Sequence, residues 1–258
     1  MRSQRATAKG SRVGGRCEGT RQYIDPMFRE LVRRLSDATP AQCELCRAWP
    51  ARPVCAACLA RFATPLNRCA TCALAIPDGI RTCGGCTRTP PPLAACAAAV
   101  SYDYPWSTLV SRYKFAPDPG WAHTFAQVLR GVPRVQALLA GASHVLPMPL
   151  SRERLTQRGF NQAHELARRL SPKADASVLV RVRDTPAQAG LDLQARQSNV
   201  RHAFAVDPKR HAELRGSHVL LVDDVMTTGA SLFSLAQTVR DAGADRVSAI
   251  VFARTEEA

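Results

Sequence analysis

Eight of the ten cysteines in this 258-residue chain fall in four C-x-x-C pairs: Cys43/Cys46, Cys55/Cys58, Cys69/Cys72 and Cys83/Cys86. The gaps between pairs are 8, 10 and 10 residues. A C-x-x-C turn aims two thiolates at one point, and two such turns complete a tetrahedral four-sulfur site. Gly84 and Gly85 let the backbone bend tightly and point amides at sulfur. All-thiolate ligation favours zinc or an iron–sulfur cluster. The C-x2-C-x2-C-x3-C run of cluster-binding chains is absent. One redox C-x-x-C would be ordinary; four in series would not. Disulfides need an oxidising compartment, which no signal peptide announces here. Tandem zinc ribbons are expected, structural or docking in role, because four cysteines per ion leave no open position. Consecutive pairing closes the shortest loops, and interleaved pairing stays open.

The second chemical signal is the string from His218 to Ser231, HVLLVDDVMTTGAS. An apolar strand, Val219–Val222, is expected to end in two carboxylates, Asp223 and Asp224. A loop of Thr227, Thr228, Gly229, Ala230 and Ser231 follows, and then a helix. Carboxylates at the C-terminal end of a parallel strand face the ligand crevice. Small residues let backbone N–H groups wrap a phosphate at a helix N-terminus. Acids beside a phosphate suit sugar hydroxyls or Mg2+. An ATPase strand also ends in acids, but that reading needs G-x-x-x-x-G-K-[ST], which the chain lacks. The blander alternative is that Thr and Ser cap the helix and the acids are solvated.

This string closely resembles the PRPP (5-phosphoribosyl 1-diphosphate) motif of type I phosphoribosyltransferases. With the cysteine pairs upstream, residues 41–254 resemble the competence protein ComF family. The resemblance implies that Asp223 and Asp224 hold the ribose 2- and 3-hydroxyls and that Thr227 to Ser231 cradle the 5-phosphate. Pro147-Met148-Pro149 with Arg152, Arg154 and Arg158-Gly159-Phe160-Asn161-Gln162 resembles the family's diphosphate-loop segment. Arg183, Thr185, Gln188 and Leu191, then Arg196, Asn199 and Phe204, resemble a second block, read as a mobile hood. Tyr113-Lys114-Phe115 resembles a short Lys-aromatic segment. Guanidinium groups fork onto phosphate oxygens, so Arg152, Arg154, Arg158, Arg183, Arg196 and Lys114 are the candidate phosphate contacts. Asn161 could equally be a helix N-cap, and Phe160 and Phe204 core residues.

The implied reaction is displacement of diphosphate from the ribose C1 by an unidentified acceptor, which would make the protein a glycosyltransferase. Its transition state is oxocarbenium-like, so the protein's work is orientation and charge neutralisation. Mg2+ would accompany PRPP. No residue declares itself a general base; His144, His164 and His202 are candidates by type alone. Two other readings stand beside transfer: a non-catalytic PRPP or nucleotide sensor, and a competence factor that binds single-stranded DNA and DNA-uptake proteins. Only 6% of residues are aromatic, little for a base-stacking platform.

These residues must be positioned by a fold. From Leu93 onward, strand-like runs (97–102, 144–148, 177–182, 218–222, 247–252) alternate with helix-like runs (121–130, 161–170, 231–242). That alternation predicts an α/β domain over 93–258: a type I phosphoribosyltransferase-like, mostly parallel sheet flanked by helices. Residues 41–92 have too little apolar bulk to fold without metal, which marks the tandem ribbon as a small separate domain. Residues 1–40 read as a basic, disordered tail, with translation starting at Met27; mass spectrometry of the native N-terminus tests this. No apolar run suits a membrane span or a secretory h-region, which implies the cytoplasm and no membrane insertion. The formal charge is +14, from 35 Lys+Arg against 21 Asp+Glu, and only four of the cations are lysine. Within it, residues 152–201 hold ten cations against five acids. The excess is therefore local, and it favours a phosphorylated small molecule over a broad nucleic-acid face.

Overall fold

The computed structural model describes residues 41–116, 118–182 and 203–256. The tail with Cys17 and Met27, and the stretch carrying Arg183, Arg196, Asn199 and His202, lie outside the described residues. Gln42–Ala258 forms one compact unit.

Helices in chain order are α1 (Ala56–Phe62), α2 (Gly84–Arg88), α3 (Trp106–Phe115), α4 (Trp121–Arg130), α5 (Pro133–Gly141), α6 (Arg152–Arg158), α7 (Gln162–Leu170) and α8 (Ala230–Asp241). The strands are β1 (Ala95–Ser101), β2 (His144–Pro147), β3 (Leu179–Arg181), β4 (Phe204–Val206), β5 (His218–Met226) and β6 (Arg246–Arg254). Four of them make one parallel sheet in the order β1-β6-β5-β2.

Both faces of this sheet are covered, so its strands read as unbroken apolar runs rather than alternating ones. Side chains still part by the two-residue period. Val219, Leu221, Val247, Ala249 and Val251 pack with Leu232, Leu235 and Val239 of α8. Leu220, Val222, Ile250 and Phe252 pack with Trp106, Tyr113 and Phe125 of α3 and α4. The cysteines divide in the same way. Cys69, Cys72 and Cys86 belong to the first core, and Cys43 and Cys58 to the second. Phe125 stacks on Phe252 at 4.0 Å between centroids, and Trp106 meets the same ring edge-on at 5.5 Å. These rings fix α3 and with it Lys114.

Two expectations change. The strand expected to stop at Val222 runs on through both acids: Asp223 is paired with Val251, and the ladder ends at Met226 opposite Arg254. β6 is nine residues long and buried from Val247 onward, so it keeps offering partners. The run at 177–182 does not join the main sheet. Only Leu179–Arg181 is strand, and it pairs antiparallel with β4 in a separate two-stranded sheet. Its partner Phe204, read as part of a hood block, is buried in the α8-side core.

Both edges of the main sheet are blunted, as edges of soluble sheets are. On β1, the Cys96 amide donates to the Ala70 carbonyl at 3.0 Å. On β2, the Asp175 amide donates to the Val145 carbonyl at 3.0 Å.

Candidate functional site

The end of β5 and the turn into α8 form the floor of a cleft of about 250 Å3. Asp223, Asp224, Thr227, Gly229, Ala230 and Ser231 line it from this side. The turn needs glycine at position 229. Gly229 has φ of +86°, and a Cβ there would lie 2.5 Å from Met226 Cε and 2.7 Å from the Phe233 ring. The Thr228 hydroxyl is used locally, accepting from the Ala230 amide at 3.4 Å, and Thr228 does not line the cleft.

Asp224 is buried and paired with Lys114, whose Nζ lies 3.4 Å from Oδ1. α3 delivers that lysine because Trp106, Leu109, Val110 and Tyr113 bury one helical face. The Tyr113 hydroxyl then donates to the Gln162 carbonyl at 2.7 Å, tying α3 to α7. Asp223 accepts the Asp224 amide at 2.8 Å. Burial, and then the neighbouring Asp224 charge, push Asp223 up to about 7 from its ordinary 3.8.

Arg154 and Arg158 line the opposite wall from α6. This helix is well bounded. Ser151 caps it by accepting the Arg154 amide at 3.3 Å, and Gly159 at φ +75° closes its end. Arg158 is aimed by a 3.1 Å bond to the Gln162 side chain and lies over the Phe115 ring at 5.5 Å. Asn161 does cap α7, accepting from the His164 amide at 3.2 Å, and it also donates to the Met148 carbonyl at 3.0 Å. Four cations (Lys114, Arg154, Arg158 and Arg181) thus surround two acids in one cleft. That balance suits a ligand carrying several negative charges beside hydroxyls.

The eight paired cysteines come together as two groups, Cys43/Cys46/Cys55/Cys58 and Cys69/Cys72/Cys83/Cys86, with the four sulfurs of each within 4.8 Å of one another. Pairing is consecutive. The sulfurs of Cys43 and Cys58 are 3.8 Å apart, those of Cys46 and Cys55 3.6 Å, and those of Cys72 and Cys83 3.7 Å. A zinc tetrahedron with Zn–S of about 2.3 Å has edges of about 3.8 Å. A disulfide needs about 2.0 Å, so the donor set fits zinc. Both groups share one hydrogen bond. The Cys55 amide donates to the Cys43 sulfur at 3.4 Å, and the Cys83 amide to the Cys69 sulfur at 3.3 Å. Burial raises the Cys43 thiol, but the amides of Cys46, Cys55 and Leu45 more than offset it and hold it at about 6. Burial pushes Cys58 up to about 12. Gly84 and Gly85 open the short helix α2, with the Cys86 amide turned onto the Cys83 sulfur at 3.4 Å.

Comparison with known proteins bears on both halves. A phosphoribosyl transferase domain model matches residues 155–258. The "DNA utilization protein YhgH" of Salmonella typhi is 30% identical over 230 residues, covering 84% of this chain and 98% of its own. "Competence protein F" of Haemophilus influenzae is 29% identical over 194 residues, covering 72% and 84%. "Competence protein ComFC" of Bacillus subtilis is 30% identical over 101 residues, covering 38% and 39%. The chain belongs to the ComF family. Its architecture is the one that this family implies: a parallel phosphoribosyltransferase sheet with flanking helices, preceded by tandem cysteine groups that could hold zinc.

In this ComF-family cleft, not every sequence-predicted residue converges. Arg152 is exposed and lies two residues from Arg154, about 200° around α6, so the helix that presents Arg154 turns Arg152 away. Arg183 and Arg196 lie outside the described residues. Two histidines with no motif are spent elsewhere: His144 contacts the Glu213 carbonyl at 3.1 Å, and His218 bridges the Gly141 carbonyl and Ser248. Sequence reading missed Arg181, which lines the cleft from β3 and lies over the Phe204 ring at 5.4 Å. Its only signal was membership of the basic 152–201 segment. It also missed Arg254, a buried arginine at the end of β6 that touches the loop from behind.

Proposed function

We propose that the cleft binds PRPP with Mg2+ and that the protein transfers its phosphoribosyl group to an acceptor, within a ComF-like role in competence and DNA uptake. One observation carries this reading. The Asp223–Asp224 pair and the Thr227–Ser231 turn share a single cleft with Lys114, Arg154 and Arg158. In this reading the two carboxylates hold the ribose 2- and 3-hydroxyls, and the turn and the N-terminus of α8 hold the 5-phosphate. Arg154 and Arg158 neutralise the departing diphosphate. Lys114 holds Asp224 in place through their 3.4 Å ion pair. The hard carboxylate oxygens beside a polyphosphate suit Mg2+, which when bound supplies charge neutralisation at the diphosphate. The family's relatives bear the names "DNA utilization protein" and "competence protein", which support the wider role.

The test is a thermal shift with PRPP and Mg2+, then a screen of acceptor bases for diphosphate release. PRPP raises the melting temperature of the intact protein, and Asp223→Ala with Asp224→Ala abolishes the rise. No shift in the intact protein refutes the reading. A shift without diphosphate release against any acceptor leaves the sensor reading.

A further inference from the structure

Arg254 is the last residue of β6, and only 3% of it is exposed. A buried guanidinium normally faces a carboxylate. This one is held by backbone carbonyls. Its Nε donates to the Cys72 carbonyl at 3.1 Å. Its Nη1 donates to the carbonyls of Met226 (3.3 Å), Thr227 and Thr255. Cys72 is a member of the second cysteine group. Met226 ends β5 and Thr227 opens the turn that follows, and both line the cleft. One side chain therefore touches a metal knuckle with one nitrogen and the phosphate turn with another.

The planar trans peptide gives this contact a direction. A carbonyl and the amide that follows it point to opposite sides of the chain. With the Met226 and Thr227 carbonyls drawn toward Arg254, the amides of Thr227 and Thr228 are turned to the opposite side of the turn. Of the two residues, Thr227 lines the cleft, so its amide is the one available to an anion there. Lysine has no planar fork with which to reach several carbonyls at fixed angles.

The knuckle end of the bridge is equally specific. The Cys69–Cys72 turn passes into Ala73, a non-glycine residue at φ +58° whose amide bonds back to the Cys69 carbonyl at 2.9 Å. A metal held by Cys69 and Cys72 keeps this turn closed and its Cys72 carbonyl on Arg254. The first cysteine group packs against the other face of the sheet, with Trp106 and Phe125, and its ties run to α3: a 2.8 Å ion pair from Arg112 to Glu44 and a 2.6 Å bond from the Trp106 indole to the Phe62 carbonyl. It reaches the cleft only through the body of α3 and Lys114, and among the described residues no side chain bonds it to the carbonyls of the turn.

We propose that Arg254 is a positioning residue that couples the second cysteine site to the phosphate turn, so that metal at Cys69/Cys72/Cys83/Cys86, but not at Cys43/Cys46/Cys55/Cys58, sets anion affinity in the cleft. The cleft's role as an anion site rests on the function proposed above; the coupling itself does not.

The experiment uses the full zinc-loaded chain and four substitutions: Cys86→Ser in the second site, Cys46→Ser in the first, Arg254→Met, and Arg254→Lys. Zinc content is measured for each. Hydrogen–deuterium exchange of peptides covering 224–232 is followed without ligand, and inorganic phosphate and PRPP binding are followed by calorimetry. Cys86→Ser raises exchange of the turn about tenfold and weakens phosphate binding by a similar factor, while protection along β5 and β6 stays intact. Cys46→Ser changes neither. Arg254→Met raises turn exchange with zinc still bound, and adding Cys86→Ser to it raises exchange no further. Arg254→Lys, which keeps the charge and most of the volume, shows the same loss if Arg254→Met does not fold. Equal effects of Cys46→Ser and Cys86→Ser, or additive effects of Cys86→Ser and the Arg254 substitution, overturn the coupling. If the intact chain binds neither phosphate nor PRPP, the proposed function fails, and the exchange data still decide the coupling on their own.

Discussion

Replacing Asp223 by Asn separates what the cleft costs the fold from what it does for a ligand. The folded protein holds the Asp223 proton up to about pH 7, against an ordinary value of 3.8. The cause is burial first and the Asp224 charge second. A raised carboxylate favours folding fully below pH 3.8, and that contribution is lost as the pH climbs through 7. The gap of about three pH units corresponds to about 4 kcal/mol at pH 8. Asp223 keeps partial access to solvent, which screens its charge and halves the expectation to about 2 kcal/mol. Asn keeps an oxygen to accept the Asp224 amide and carries no charge. Asp223→Asn should therefore raise the melting temperature of the ligand-free protein by about 4–8 °C at pH 8. The gain should shrink as the pH falls from 8 and be mostly gone near pH 4. Stabilisation by PRPP should disappear at every pH. The assay is calorimetric unfolding across pH with and without PRPP and Mg2+. A variant no more stable than the parent at pH 8, or a gain that does not shrink on acidification, refutes the account of a strained acid pair.

Other consequences are more direct. Gly229→Ala forces a Cβ to 2.5 Å from Met226 Cε at a positive φ, and should cost about 2–4 kcal/mol in denaturant unfolding as well as ligand binding. Lys114→Met leaves Asp224 buried without its cation. It should destabilise by about 1–3 kcal/mol in denaturant unfolding at pH 8. A truncated chain beginning at Leu93 removes Cys69, Cys72 and Cys86 from one core and Cys43 and Cys58 from the other. It should be insoluble or molten by near-ultraviolet circular dichroism, whereas two independently stable halves would give a folded fragment.

The helices over 121–130 and 230–241 were legible in sequence because their apolar residues keep the helical period. The cysteine groups were legible because metal spacing is local. The run of β5 past Val222 was not, because acids read as a strand's end unless the partner strand is known to continue. Position 177–182 looked like a sheet strand, but strand membership is fixed by neighbours distant in sequence. Arg154 and Arg158 converge while Arg152 does not, since a motif spacing carries no phase until the helix start at Ser151 is known. Arg254 was invisible for a deeper reason. It recognises backbone carbonyls, and those have no letter in the sequence.

The amide of Cys96 on the carbonyl of Ala70 has a further meaning. β1 is the outermost strand of its sheet, and its sequence, ACAAAVS, has no charge and no proline. Such a strand, if bared, offers open backbone groups to any similar strand of another molecule. The Cys69–Cys72 turn of the second cysteine group occupies one position of that rim, the Cys96 amide. If zinc fills the second cysteine group, a chain deprived of it should self-associate through β1 while its parallel sheet is still largely formed, which light scattering during chelation would read.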